Sequence, residues 1–283
     1  MGQFSVPIGE GLWRPLTERA RRTGEPAAHI VGRALAEYLG ISHHTLYQVS
    51  TSSALVAGIY QGAVQIATLR EHGDLGLGTF ENLDGELVIV DGHFYGARGD
   101  GSVHECDDAT PIPFAVITWF KPDATANLAR CGGLAELVAQ FDALRVSDNL
   151  FYALRVDGQF DYVHLRAMCK TREGVPLIEA AAVQPEFEFH DLPGTLVGFW
   201  TPTYARALGV PGYHFHFLSA DRRHGGHLLE CRGSDWRLGL AREGDYRVAL
   251  SENEDFLKAD LRRDAGAELA AAEGAKAERK KEK

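Results

Sequence analysis

The stretch His214–His227, HFHFLSADRRHGGH, holds four of the chain's twelve histidines. Imidazole is neutral near physiological pH and is a common metal ligand. A β-strand puts residues two apart on one face. GYHFHFLS reads as such a strand, so His214 and His216 point one way and Phe215 and Phe217 the other. DRRHGG reads as a turn, with Gly225 and Gly226 permitting a tight reversal. GHLLEC then returns as the next strand and carries His227 back beside the first pair. Three converging imidazoles form an open site, with coordination positions left for water or substrate. The plain alternative is a histidine cluster that binds nothing. An HxH pair facing a third histidine across a glycine turn favours the metal. His224 sits in the turn beside Arg222 and Arg223 and is expected to face solvent. His72, His93, His104, His164, His190 and the His43-His44 pair have no such constellation and read as structural or surface groups. Ligands without thiolate suit zinc, iron, copper, nickel or manganese. The spacing alone selects neither the metal nor the reaction.

The elements that must position these groups are mostly strands. From Leu55 onward the chain is rich in short apolar runs broken by glycines. Asp84-Gly85 and Asp91-Gly92 are hairpin signals, with ELVIV as the strand between them and HFYGA continuing the meander. AVITWF (115–120) is a further strand, and GGLAELVAQFDALR (132–145) an amphipathic helix. NLFYALRVDGQFDYVHLRAM (149–168) reads as a hairpin around Asp157-Gly158. LVGFWTPTYAR, GHLLECR and WRLGLAREGDYRVALS supply more strands. The tail reads as a short helix followed by a basic, frayed end.

The N-terminal part differs. In QFSVPIGE, Phe4, Val6 and Ile8 alternate as in a short strand. LWRPLTERARR puts Leu12, Leu16 and Ala20 on one helical face, and PAAHIVGRALAEYLG carries Ile30, Val31, Ala34, Leu35 and Tyr38 at helical spacing before Gly40. Strand, helix, helix in under forty residues buries little alone and is expected to pair with a copy of itself. This module, residues 1–42, resembles the ribbon-helix-helix family of DNA-binding proteins. Its polar strand positions, Gln3, Ser5 and Pro7, depart from the base-reading residues usual there, which counts against DNA. Residues 41–53, ISHHTLYQVSTSS, read as a polar connector into a second domain, 43–283.

Composition narrows the function classes. The 283 residues carry a net charge of −10, which repels phosphate backbones. Cys106, Cys131, Cys169 and Cys231 form no CxxC pair and read as reduced thiols of a cytoplasmic protein. The N-terminus lacks a signal-peptide pattern, and no apolar run suggests a membrane span. No GxGxxG, GxxxxGK[ST] or GxSxG motif appears, so nucleotide cofactors and an esterase-type serine are not implied.

Three further segments join the histidines: EHGDLGLGTFENLDGELVIVDGHFYGARGDG (71–101), TPIPFAVITWF (110–120) and GTLVGFWTPTYARALGVPGYHFHFLSADRRHGGHLLEC (194–231). Together they resemble the α-acetolactate decarboxylase family, from about Tyr47 to Gly274. The resemblance implies a mixed α+β (α/β) fold with a two-part, β-rich core of mixed sheets; the small strand-helix-helix N-terminal module is an extension unusual for that family. It implies a metal, zinc (Zn2+) or another divalent ion, on His214, His216 and His227. It also carries over Glu86 in DGEL, Thr79 in LGTF, Arg166 in FDYVHLRA and Glu273 in AAAEG as catalytic residues. Without the resemblance these would be an exposed strand carboxylate, a turn hydroxyl, a surface arginine and a tail acid.

The implied reaction converts 2-acetolactate into acetoin, the (R) enantiomer in the family, on the route to butanediol. Loss of carbon dioxide leaves an electron pair that needs a sink, which the metal supplies as a Lewis acid toward an enediolate. Arg166, always charged, would pair with the substrate carboxylate or the enediolate. Glu86 and Glu273 are expected to be ionised and to act as bases or relays. The partners implied are a small keto acid and a second copy in a homodimer, with no membrane. Two competing readings are a DNA-binding regulator with a metabolite-sensing body, and a decarboxylase of another β-keto acid.

Overall fold

The computed structural model describes residues 5–23, 26–39 and 44–273. The chain divides into two compact units, Met1–His43 and His44–Lys283. In the first, α1 (Glu10–Thr23) and α2 (Ala27–Tyr38) form where helical periodicity predicts them. The expected strand is not found among the described residues, for 5–9 are irregular and Glu10 already begins α1. A strand needs a neighbour for its N–H and C=O groups, and none is paired to this segment here. Gln3 lies outside the described residues; Ser5 and Pro7 are exposed. Leu12, Trp13 and Leu35 also remain exposed.

In chain order the strands of the second unit are β1 (Thr45–Val49), β2 (Val64–Gln65), β3 (Leu75–Thr79), β4 (Glu86–Val90), β5 (His93–Ala97), β6 (Val103–Glu105), β7 (Pro111–Ile112) and β8 (Phe114–Thr118). They continue with β9 (Ala124–Cys131), β10 (Phe151–Arg166), β11 (Glu186–Thr201), β12 (Gly212–Ser219), β13 (Gly225–Glu243) and β14 (Asp245–Ala249). The helices are α3 (Ser52–Val56), α4 (Ile66–Arg70), α5 (Leu134–Leu144), α6 (Leu177–Ala181), α7 (Glu254–Lys258) and α8 (Gly266–Glu273). One sheet of seven strands runs β14-β1-β8-β3-β4-β5-β6, antiparallel except for β1 on β14. In the second sheet β10, β11, β12 and β13 pair in turn and β13 pairs back onto β10, closing a barrel, with β9 paired along β13 beyond its stretch with β12. The result is the mixed, strand-rich α+β core that the resemblance implies. No described helix is long and apolar enough to cross a membrane.

The alternation of side chains decides what faces what. In β4, Leu87 and Ile89 join the cluster around Ile66 and Leu69 of α4, while Val88 and Val90 join the layer between the sheets. In β12, Phe215 and Phe217 fill the barrel beside Phe160 and Trp236. Full burial of such a side chain contributes about 1.5–3 kcal/mol. The opposite face of β12 carries Leu218 into the inter-sheet layer, so His214 and His216 share that direction.

Two sequence readings are overturned. Residues 45–49 are not connector: β1 lies inside the large sheet, with Leu46 and Val49 buried. The polar Gln48 is accommodated because its amide donates to the Ser50 and Leu208 carbonyls and its oxygen accepts from Tyr246. Asp157-Gly158 makes no hairpin either: β10 runs straight through it for sixteen residues. Gly158 is needed there because a Cβ would lie 2.4 Å from the Trp236 ring. The Asp91-Gly92 signal does turn, with φ of 53° and 77°.

Glu243, 2% exposed at the end of β13, has an unpartnered Oε2. Burial pushes its carboxyl up from 4.5 to about 8. A carboxyl raised on folding contributes stability that is fully present below the unfolded pKa and is lost as pH rises through the folded one. Glu243→Gln should therefore leave stability at pH 5 near that of the native chain and raise it at pH 8.5 by on the order of a few kcal/mol. Denaturant melts at both pH values check this; an equal offset at the two would refute it.

Candidate metal centre and active site

The inter-sheet layer is where the chemistry gathers. β3 directs Leu75 and Leu77 into this layer, and Thr79 follows in register at its end. Thr79 pairs across the ladder with Glu86, the first residue of β4. On the barrel, His216 pairs with His227 across β12–β13, and Arg166 at the end of β10 pairs with His227 from the other side. Gly226 permits that approach: its φ is +148°, and a Cβ would lie 2.6 Å from the Arg166 carbonyl. Glu273 arrives from the last residue of α8.

Ring nitrogens of His214, His216 and His227, one from each, lie within 4.8 Å of one another, the one such metal-competent group among the described residues. His214 Nε2 is 3.0 Å from His227 Nδ1. His216 Nδ1 lies 2.8 Å from the Leu87 carbonyl, to which it donates in the tautomer that this contact requires. That leaves Nε2 of His216 a bare acceptor, buried and without a hydrogen-bond partner. Burial, reinforced by the Arg166 charge, pushes His214 down to about 3 and His227 well below its ordinary value. Burial also brings His216 to about 3. All three rings are thus neutral at pH 7, the form that ligates metals. An orphaned nitrogen, fixed by a carbonyl behind it and flanked by two neutral imidazoles, fits a bound cation. His224 lies apart, 4.3 Å from the Phe189 ring between centroids.

Around the imidazoles stand the charged groups. Arg166, 4% exposed, donates from Nη1 to the Ala272 carbonyl at 2.8 Å and from Nη2 to Glu273 Oε2 at 3.1 Å. The same Nη2 is 3.2 Å from His227 Nε2. Glu273 Oε2 is 3.6 Å from His227 Nδ1 and 4.0 Å from His214 Nε2. Glu86 accepts the Met168 amide at Oε1, and its Oε2 is 3.6 Å from His216 Nε2. Thr79 donates to the Gly85 carbonyl at 2.8 Å. Glu268, the other acid of the tail helix, pairs instead with Arg263.

Burial works against the ionised form of both acids. Burial pushes Glu86 up to about 8 against the opposing pull of Arg166, and it raises Glu273 as well. Desolvation outweighs the nearby guanidinium, so among these protein groups alone Glu86 holds a proton at pH 7. A cation beside His216 would favour the carboxylate again.

These residues line one cavity, with Leu55, Phe114, Met168 and Leu269 among its apolar walls. Sequence reasoning misses three backbone partners, the Leu87 and Ala272 carbonyls and the Met168 amide, because main-chain groups carry no residue signature. Leu269 does have a signal: it precedes Glu273 by four residues and so shares its helical face.

Known proteins place the arrangement. The sequence profile of the alpha-acetolactate decarboxylase family matches residues 46–263. The alpha-acetolactate decarboxylase of Bacillus licheniformis is 38% identical over 231 residues, covering 81% of this chain and 91% of the relative. That of Methanosarcina mazei is 39% identical over 217 residues, covering 76% of this chain and 75% of the relative. The crystal structure of the Bacillus subtilis strain 168 alpha-acetolactate decarboxylase superposes with a TM-score of 0.79 at 34% identity, covering 82% of this chain and all of that one. With a family profile spanning most of its length and relatives well above 30% identity, the chain belongs to the alpha-acetolactate decarboxylase family.

Proposed function

We propose that His214, His216 and His227 hold a divalent metal ion, zinc or another, and that Arg166, Glu86, Glu273 and Thr79 work beside it on 2-acetolactate. By its family the chain is a carboxy-lyase that decarboxylates acetolactate to acetoin. The observation that carries the proposed site is the buried, unpartnered Nε2 of His216, aimed where two further neutral imidazoles converge.

Acetolactate is a 2-hydroxy-2-methyl-3-oxo acid. Cleavage of its carboxylate leaves an electron pair on C2, conjugated with the ketone. A cation bound at the three imidazoles supplies Lewis acidity where that negative charge develops. Arg166 adds a fixed positive charge: its Nε has no partner, and its two Nη atoms are already oriented by α8. It binds the departing carboxylate or steadies the resulting enediolate. Glu86, its Oε1 held by the Met168 amide, turns Oε2 toward the site and relays the proton. Delivery from that one wall to C2 gives a single enantiomer of acetoin. Glu273 orients Arg166, and Thr79, through the Gly85 carbonyl, fixes the turn that presents Glu86. Leu55, Phe114 and Leu269 receive the methyl groups and keep water out.

The first unit is proposed as a separate module, residues 1–42, through which two copies pair. Its exposed Leu12, Trp13 and Leu35 are a surface such pairing would cover. The four cysteines are free thiols, which suits the reducing cytoplasm. One experiment tests site and module together. Acetoin production from racemic acetolactate is measured for the full chain and for residues 44–283, before and after chelation and with zinc returned, alongside molar mass in solution. Chelation should remove turnover in both forms and zinc restore it, while the truncation turns a dimer into a monomer and retains activity. Metal-independent turnover would refute the metal assignment, and an unchanged oligomeric state after truncation would refute the module's role.

A further inference from the structure

The eight residues of α8, GAELAAAE, bring Glu273 to Arg166, yet the helix has little to hold it. A single turn or two of helix is marginal without tertiary support. Only Leu269 and Ala272 within it are buried. Its far end is tied by Arg166, through the Ala272 carbonyl and Glu273. Its near end is tied by a second arginine on the surface. Arg206 Nε donates to Asp264 Oδ1 at 3.1 Å and Nη2 to Oδ2 at 2.8 Å, a two-pronged pair. The same Asp264 Oδ1 accepts the Gly266 amide at 3.0 Å, at the first residue of the helix. Arg206 is itself anchored to the cavity wall. Its carbonyl accepts the Ser52 hydroxyl, and the Leu208 carbonyl accepts the Ser52 amide. Ser52 opens α3, whose Leu55 lines the cavity.

We propose that Arg206 and Asp264 are positioning residues of the decarboxylase: their ion pair seats the start of α8 so that its other end delivers Glu273 to Arg166. The proposal rests on the reading of Glu273 as a residue of the site. An exposed pair of this kind contributes little to global stability. Its leverage is local, because it acts on the start of a short helix with only two buried residues, whose other end reaches the site arginine.

The test uses full-length, metal-loaded enzyme and reads kcat, KM, metal content and Tm. Arg206→Ala should lower kcat roughly two- to five-fold, with metal content and Tm unchanged. Asp264→Ala, which also loses the Gly266 contact, should lower it about ten-fold. The exchanged pair, Arg206→Asp with Asp264→Arg, restores the ion pair but not the Gly266 contact, so it should recover only part of the kcat lost by Asp264→Ala. In a Glu273→Gln background, Arg206→Ala should lower kcat no further. Native kcat in Arg206→Ala overturns the proposal. So does the same fractional loss in both backgrounds, which marks a general structural effect. A Glu273→Gln enzyme with native kcat removes the reading of Glu273 itself and the proposal with it. A failure of Arg206→Ala alone leaves that reading standing.

Discussion

His216→Ala should abolish acetoin formation and strip the purified protein of its divalent metal. The loss in kcat should be at least about 10³-fold, the scale of several kcal/mol of transition-state charge stabilisation. His216 is the innermost of the three imidazoles, 1% exposed, and the one whose free nitrogen is set by a carbonyl on the opposite sheet. Removing the ring leaves two imidazoles and takes away the contact that ties this wall to the Leu87 carbonyl. Metal content by elemental analysis, read beside circular dichroism, separates loss of the ion from loss of the fold. A folded His216→Ala protein with full metal and native turnover would exclude this histidine as a ligand.

Arg166→Lys should cost about 10²- to 10³-fold in kcat while the protein keeps its metal. The size is that of losing one preorganised donor to developing negative charge. Lysine keeps the charge but not the planar fork, and the fork is what spans the Ala272 carbonyl and Glu273 Oε2 at once. The guanidinium also stands 3.2 Å from Nε2 of the neutral His227, but the three imidazoles themselves are untouched by the change, so the metal should stay. Turnover, bound metal and the enantiomeric purity of the acetoin are the three measurements. Native kcat in Arg166→Lys would show that charge alone suffices and that the fork has no role.

Much of this site is legible in the amino-acid sequence itself. The HFHF stretch declares its two faces through the period of two, and the glycine turn returns His227 to the same wall. Thr79, Glu86, Arg166 and Glu273 are reachable only through the family resemblance, for a single carboxylate or arginine on a strand looks like a surface group. The sequence misleads where barrel geometry overrides local habit. Asp157-Gly158 has the composition of a turn, but the glycine serves close packing against Trp236 inside a long strand. TLYQV looks polar because its buried glutamine is satisfied by partners as distant as Leu208 and Tyr246. The ionisation of Glu86 escapes sequence reading for a similar reason: proximity to Arg166 can be guessed from a family, whereas the depth of burial cannot.

The pairing of Arg166 with His227, at the seam that closes the barrel, bears on how the enzyme comes into being. Arg166 meets His227 across 61 residues of chain and Glu273 across 107. Contacts so distant in sequence carry a large loop-closure entropy and form late. Strands and helices assembled before that closure hold a histidine hairpin, an arginine and a tail carboxylate that have not yet met. Catalytic competence is therefore expected only once that closure is made.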